Sequence, residues 1–177
     1  MVLSTSKACL FLIVFAVLTR QASAVRMKKT LLSLYQDPPT LVNGTYSSFV
    51  FATYEAVLRS SKDGPMVGTL FGTTIVNTVL DTSLQTDLRD RHLTFDFGPK
   101  GQITAAGIVS YPANTSFLNV DVPTTMAVTG GSFDYFGATG QVTSQRLDAT
   151  GAHTQTFQIY CFRKGGGFRL KAPKGAK

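Results

Sequence analysis

Between residues 47 and 163 the chain is a succession of short segments rich in Val, Ile, Thr, Phe and Tyr, each bounded by turn-forming residues. That punctuation constrains the fold more than any other feature. The segments run over 47–58, 66–80, 91–97, 102–111, 124–129, 140–148 and 153–163, with turn signals at Lys62-Asp63-Gly64-Pro65, Gly98-Pro99-Lys100-Gly101 and Ala149-Thr150-Gly151. Apolar residues nowhere repeat at three-and-four spacing over a long window. Helix is therefore expected only over 28–35, a turn or two before Asp37-Pro38-Pro39 stops it. Short strands at regular spacing form an antiparallel barrel or a sandwich.

The 47–58 strand has faces Phe49, Phe51, Thr53, Glu55, Val57 and Val50, Ala52, Tyr54, Ala56, Leu58, and both are largely apolar. A strand without a wet face has something packed on each side. In a barrel, one face fills the interior and the other meets a covering element or a second subunit, so a homo-oligomer, dimer or trimer, is expected. Gly68 and Gly72 in the next strand signal a bend or a close backbone approach.

The formal charge of +7 is concentrated at the ends. Between residues 30 and 162 only six basic residues stand against all ten acidic ones, a net of −4. A nucleic-acid module carries its basic patch on the folded domain, so no nucleic-acid partner is expected. The basic ends suit an anionic matrix instead.

Residues 1–24 have Lys7, an apolar run over 8–18 and the small triplet Ala22-Ser23-Ala24, the three-part layout of a secretory signal peptide. The run is too short to span a bilayer, so no membrane span is expected. The organisation expected is a signal peptide over 1–24, an N-terminal extension over 25–46, the β domain over 47–164 and a flexible basic tail over 165–177. An exported chain is extracellular, apoplastic in a plant. Asn43-Gly44-Thr45 and Asn114-Thr115-Ser116 are sequons in stretches that read as loops, making Asn43 and Asn114 glycosylation sites. Once Cys9 leaves with the signal, Cys161 stands alone among Phe157, Ile159, Tyr160 and Phe162 as a small core residue. His92 and His153 are isolated, so neither a metal nor another cofactor is expected.

Glu55 is the single glutamate of the chain, and by alternation it shares a face with Phe49, Phe51 and Val57. A carboxylate among aromatics finds a hydrogen-bond partner or takes up a proton, which makes it a candidate general acid or base. The alternative is that it points to water or into a structural ion pair.

The stretch Ala127-Val128-Thr129-Gly130-Gly131-Ser132-Phe133-Asp134-Tyr135-Phe136-Gly137-Ala138-Thr139-Gly140-Gln141-Val142 resembles the glycine-rich signature shared by plant dirigent proteins and allene oxide cyclases. Residues 102–107, 67–76 and 156–160 also fit, so the resemblance covers 47–163. It implies an all-β fold, an eight-stranded antiparallel β-barrel with a central apolar cavity, usually trimeric. Gly130 and Gly131 then suit a turn with positive φ, and Gly137 and Gly140 allow bending where the next strand starts.

The two families differ in chemistry. Dirigent proteins are secreted and orient phenoxy radicals, made by a separate oxidase, for stereoselective lignan coupling. Allene oxide cyclases are plastid enzymes that close an unstable fatty-acid epoxide to a cyclopentenone. Export and the sequons favour a dirigent-like protein binding a small hydrophobic or phenolic ligand. The alternatives are a cyclase-type isomerase and a non-catalytic carrier.

Tyr54-Glu55-Ala56-Val57 occupies the place of the His-Asp-Ile-Leu-like stretch of dirigent proteins and resembles the Tyr-Glu of the cyclases, so both likenesses point at Glu55. Asp134 matches the Asp of the dirigent signature, while Thr139 stands where that signature has Arg. The cyclase cysteine has no counterpart over 72–76, and Tyr111 stands roughly where the cyclases keep a tyrosine. The resemblance thus implies Glu55, Asp134 and Tyr111 as catalytic or orienting groups, with Phe49, Phe51, Thr53 and Thr139 lining the ligand site.

Overall fold

The computed structural model describes residues 27–44, 51–78, 86–112, 115 and 118–162. The signal segment, Phe49, Asn114 and the basic tail lie outside the described residues. Among the described residues nine strands run in chain order: β1 (Met27–Gln36), β2 (Thr40–Gly44), β3 (Phe51–Arg59), β4 (Met66–Thr78), β5 (Thr86–Asp96), β6 (Gln102–Pro112), β7 (Thr124–Gly131), β8 (Thr139–Arg146) and β9 (His153–Phe162). From β3 to β9 each strand pairs antiparallel with the next, and β1 closes the ring by pairing both β9 and β3. The result is an eight-stranded antiparallel barrel with β2 outside the ring on the edge of β3.

The expected helix over 28–35 is instead strand β1, in register with β9 from Met27↔Phe162 to Gln36↔His153. Local preference for helix in this Lys- and Leu-rich stretch amounts to a few tenths of a kcal/mol per residue. The ladder that closes the barrel outweighs it, burying Leu34 and Gln36 on the inner phase and leaving Leu31 and Ser33 outside. Past Asp37-Pro38-Pro39 the chain leaves β9 and follows the edge of β3 as β2, beginning at Thr40↔Glu55. The stretch read as an extension therefore supplies two strands, and Asn43 lies in β2 opposite Thr53 rather than in a loop.

The interior is divided along the barrel axis. Towards the end closed by the β5–β6 and β7–β8 connections it is apolar, with Phe95, Phe97, Ile103, Val128, Tyr135, Ile159 and Cys161 buried together. Phe95 meets Phe157 edge-on with ring centroids 4.7 Å apart, and Phe97 lies 5.2 Å from Tyr135. Burial pushes the Cys161 thiol up from its ordinary value, as befits the small core residue expected there. Towards the other end the buried polar side chains gather, Gln36, Thr74, Asp87, Arg89, Arg91, Ser144, His153 and Gln155, among the buried Tyr54, Val109 and Tyr111. The apolar interior implied by the resemblance thus holds for one end only.

Positive φ at the β7–β8 turn falls on Phe133 (50°) and Gly137 (68°), not on Gly130 or Gly131. The close approaches expected at Gly68 and Gly72 are present. A Cβ on Gly68 would meet the Asp96 carbonyl, and one on Gly72 would meet the Tyr54 ring.

Candidate functional site in the barrel interior

Strand β5 carries the centre of the polar end. Its buried positions alternate as Asp87, Arg89, Arg91, Leu93 and Phe95, so a single strand passes from ionisable to apolar residues along one face. In the neighbouring strands Thr74 pairs with Arg91 and Tyr111 with Asp87. Tyr54, inward on β3, lays its ring over Gly72 and accepts a hydrogen bond from Arg91 Nε at 2.8 Å. Arg89 donates through Nη2 to Asp87 Oδ2 at 3.1 Å and to the Thr115 carbonyl at 2.6 Å. Its guanidinium carbon sits 4.3 Å from the Tyr111 ring centroid, a cation–π contact.

Strands β1, β8 and β9 supply the facing groups. Gln155 Nε2 donates to Gln36 Oε1 at 2.6 Å and to Ser144 Oγ at 3.0 Å. His153 Nδ1 lies 2.7 Å from the Gly151 carbonyl, which can only accept, so Nδ1 carries the proton and Nε2 is a bare acceptor. Among the described residues five buried polar atoms have no hydrogen-bond partner: Arg91 Nη1, Arg89 Nε, Gln36 Nε2, His153 Nε2 and Gln155 Oε1. Buried polar atoms are nearly always paired, so five unpartnered ones among the described residues single out this cluster as the candidate site.

Electrostatics agree with the geometry. Burial, reinforced by the positive charge of Arg91, lowers the His153 pKa from 6.5 to about 3, so the ring is neutral at physiological pH. Burial also raises the Tyr54 hydroxyl above its ordinary value, opposed by Arg91. Arg91 stays charged: burial works against its guanidinium, and Tyr111 and Tyr54 offset that. Among the described residues, two buried guanidinium groups stand against one buried carboxylate at this end of the interior.

His153 has a stability consequence. Between about pH 6.5 and 3 the unfolded chain binds a proton there that the folded chain refuses. Stability contributed by the neutral ring is complete above pH 6.5 and is lost as pH falls through this window. The expected slope is at most about 1.4 kcal/mol per pH unit. Urea unfolding of wild type and His153→Gln across pH 4–7 checks this, and an identical slope in both would contradict it.

Of the residues singled out from sequence, Tyr111 is buried in this cluster. Glu55 is not: it is exposed on the outer face, between Thr40 and Phe71 in register, because its neighbour Tyr54 takes the inward position. Phe51 shares that outer phase and is exposed, and Thr53 is half-buried on it. Asp134 is exposed in the 3₁₀ turn Phe133–Tyr135 beside Gly131, which pairs with Ile103 at the start of β6, whereas Tyr111 ends β6. Thr139 is exposed at the start of β8. Glu55, Asp134 and Tyr111 therefore do not line one cavity. Arg89, Arg91, His153, Gln155 and Gln36 were missed, although the spacings Asp87-x-Arg89-x-Arg91-x-Leu93-x-Phe95 and His153-x-Gln155-x-Phe157-x-Ile159 place them in phase with core residues.

No family model and no curated protein matches the chain. Solved structures do. A pyocyanin demethylase superposes with a TM-score of 0.52 at 21% identity, covering 73% of this chain and 99% of that one. A nonspecific heme-binding cyclase, which catalyses a cycloaddition in neoabyssomicin biosynthesis, gives 0.56 at 19%, with coverage of 94% and 80%. A pterocarpan synthase dirigent protein gives 0.53 at 13%, with 78% and 93%. The fold is that of the dirigent and cyclase barrels. These proteins share with the chain the scaffold of a barrel of about eight strands, whose interior can hold one small ligand.

Proposed function

We propose that the protein is a secreted, dirigent-like barrel that binds a small phenolic ligand at its polar end and orients radicals, supplied by a separate oxidase, for stereoselective coupling. The observation that carries the reading is the buried Arg91–Tyr54 pair, held at 2.8 Å with Arg91 Nη1 still unpartnered among the described residues. A fixed, buried guanidinium hydrogen-bonds a ligand oxygen in a defined direction, and Tyr111 and Tyr54 offer ring faces beside it. A tenfold preference for one face of attack needs only about 1.4 kcal/mol, less than one hydrogen bond to a charged group supplies.

The allene oxide cyclase alternative has less support. It requires Glu55 to stabilise developing positive charge, yet Glu55 is on the outer face and the buried charges described in the interior are two arginines and one aspartate. The dirigent-like reading predicts that coniferyl alcohol treated with a one-electron oxidant gives an enantiomerically enriched dimer when the protein is added, with total oxidation unchanged. A racemic product contradicts it.

A further inference from the structure

We infer that the polar end of the barrel is a carboxylate-binding site, so that the ligand anchored there is an aromatic acid rather than its neutral alcohol. The inference deepens the ligand-binding reading above and rests on it.

Charge balance within the barrel carries the argument. Among the described residues the ion pairs are Arg59–Asp37, Arg89–Asp87 and His92–Asp90. Asp87 is thus matched by Arg89, and Arg91, only 2% exposed, has no carboxylate partner among the described residues. Its Nε is spent on the neutral hydroxyl of Tyr54, and its Nη1 has no hydrogen-bond partner among the described residues. An uncompensated buried charge costs several kcal/mol, which a bound anion offsets. The planar fork of a guanidinium matches a carboxylate in geometry as well as charge.

The surroundings favour the same ligand class. Arg89, two residues away on the same face of β5, has an unpartnered Nε, and Gln36 has an unpartnered Nε2. No carboxylate other than Asp87 is buried among the described residues, and of the five unpartnered atoms three are donors, on Arg91, Arg89 and Gln36. The two unpartnered acceptors, His153 Nε2 and Gln155 Oε1, suit a hydroxyl of the same ligand rather than its carboxylate.

Ferulate and coniferyl alcohol share a ring and differ in carboxylate against hydroxymethyl, which makes them the matched probes. Calorimetric titration of the full chain is expected to show ferulate binding at least tenfold more tightly than coniferyl alcohol. Arg91→Met is expected to abolish that preference, and Arg91→Lys to keep part of it. Because Met removes an unpaired buried charge, the free Arg91→Met protein is expected to melt at the same temperature as wild type or higher. Equal affinity of wild type for the two probes overturns the inference, as does a preference that survives in Arg91→Met. If the probes bind equally while the protein still biases coupling, the dirigent-like reading stands and the carboxylate assignment alone falls. If neither binds, both fall.

Discussion

Alanine at residue 72 is expected to abolish ligand binding and to destabilise the fold by about 1–3 kcal/mol, the range for overpacking a filled interior. The space where its Cβ would stand is taken by the Tyr54 ring, and neither partner can retreat cheaply. Gly72 is in the middle of β4, paired to Tyr54 on one side and Leu93 on the other. Tyr54 is buried and holds Arg91 in place through its hydroxyl. Displacing the ring therefore removes the acceptor that orients the guanidinium, and the site loses geometry before the barrel loses its strands. The double variant Tyr54→Ala with Gly72→Ala separates this from a generic strand defect. Its stability loss should fall well short of the sum of the two single losses, since the collision exists only when both groups are present. Additive losses in a double-mutant cycle would show that Gly72 acts otherwise.

Phe157→Ala is expected to have the largest effect on stability, about 3–5 kcal/mol. Phe157 is fully buried on β9, packs edge-on against Phe95 at 4.7 Å, and lies between Leu32 and Val142 in register across the strands that close the ring. Removing the ring opens a cavity where three strands meet, against a total stability that in domains of this kind is only about 5–15 kcal/mol. Urea denaturation monitored by circular dichroism measures it. A loss under about 1 kcal/mol would mean that the barrel interior repacks freely there.

The fold was legible where alternation and turn chemistry act together. The hairpin about Gly98-Pro99-Lys100-Gly101, the close approach at Gly72 and the strands at 102–111 and 153–163 follow from residues a few positions apart. Strand β1 was not legible, because its partners on β9 stand more than a hundred residues away and nothing local records them. The start of β5 was missed for a different reason. Asp87, Arg89 and Arg91 read as surface charges, yet the barrel turns them inward in phase with Leu93 and Phe95. The same one-residue phase decided the site: Tyr54 and Glu55 are adjacent, and the pleat sends the tyrosine in and the glutamate out.

The ligand site proposed above belongs to the barrel interior around Arg91 and not to the outer face around Glu55. A crystal structure of the protein with ferulate tests it most directly. The carboxylate is predicted within about 3 Å of Arg91 Nη1, with the aromatic ring against Tyr54 and Tyr111. Ferulate seated on the outer face beside Glu55 and Phe51, with Arg91 untouched, would overturn the assignment of the site to the interior.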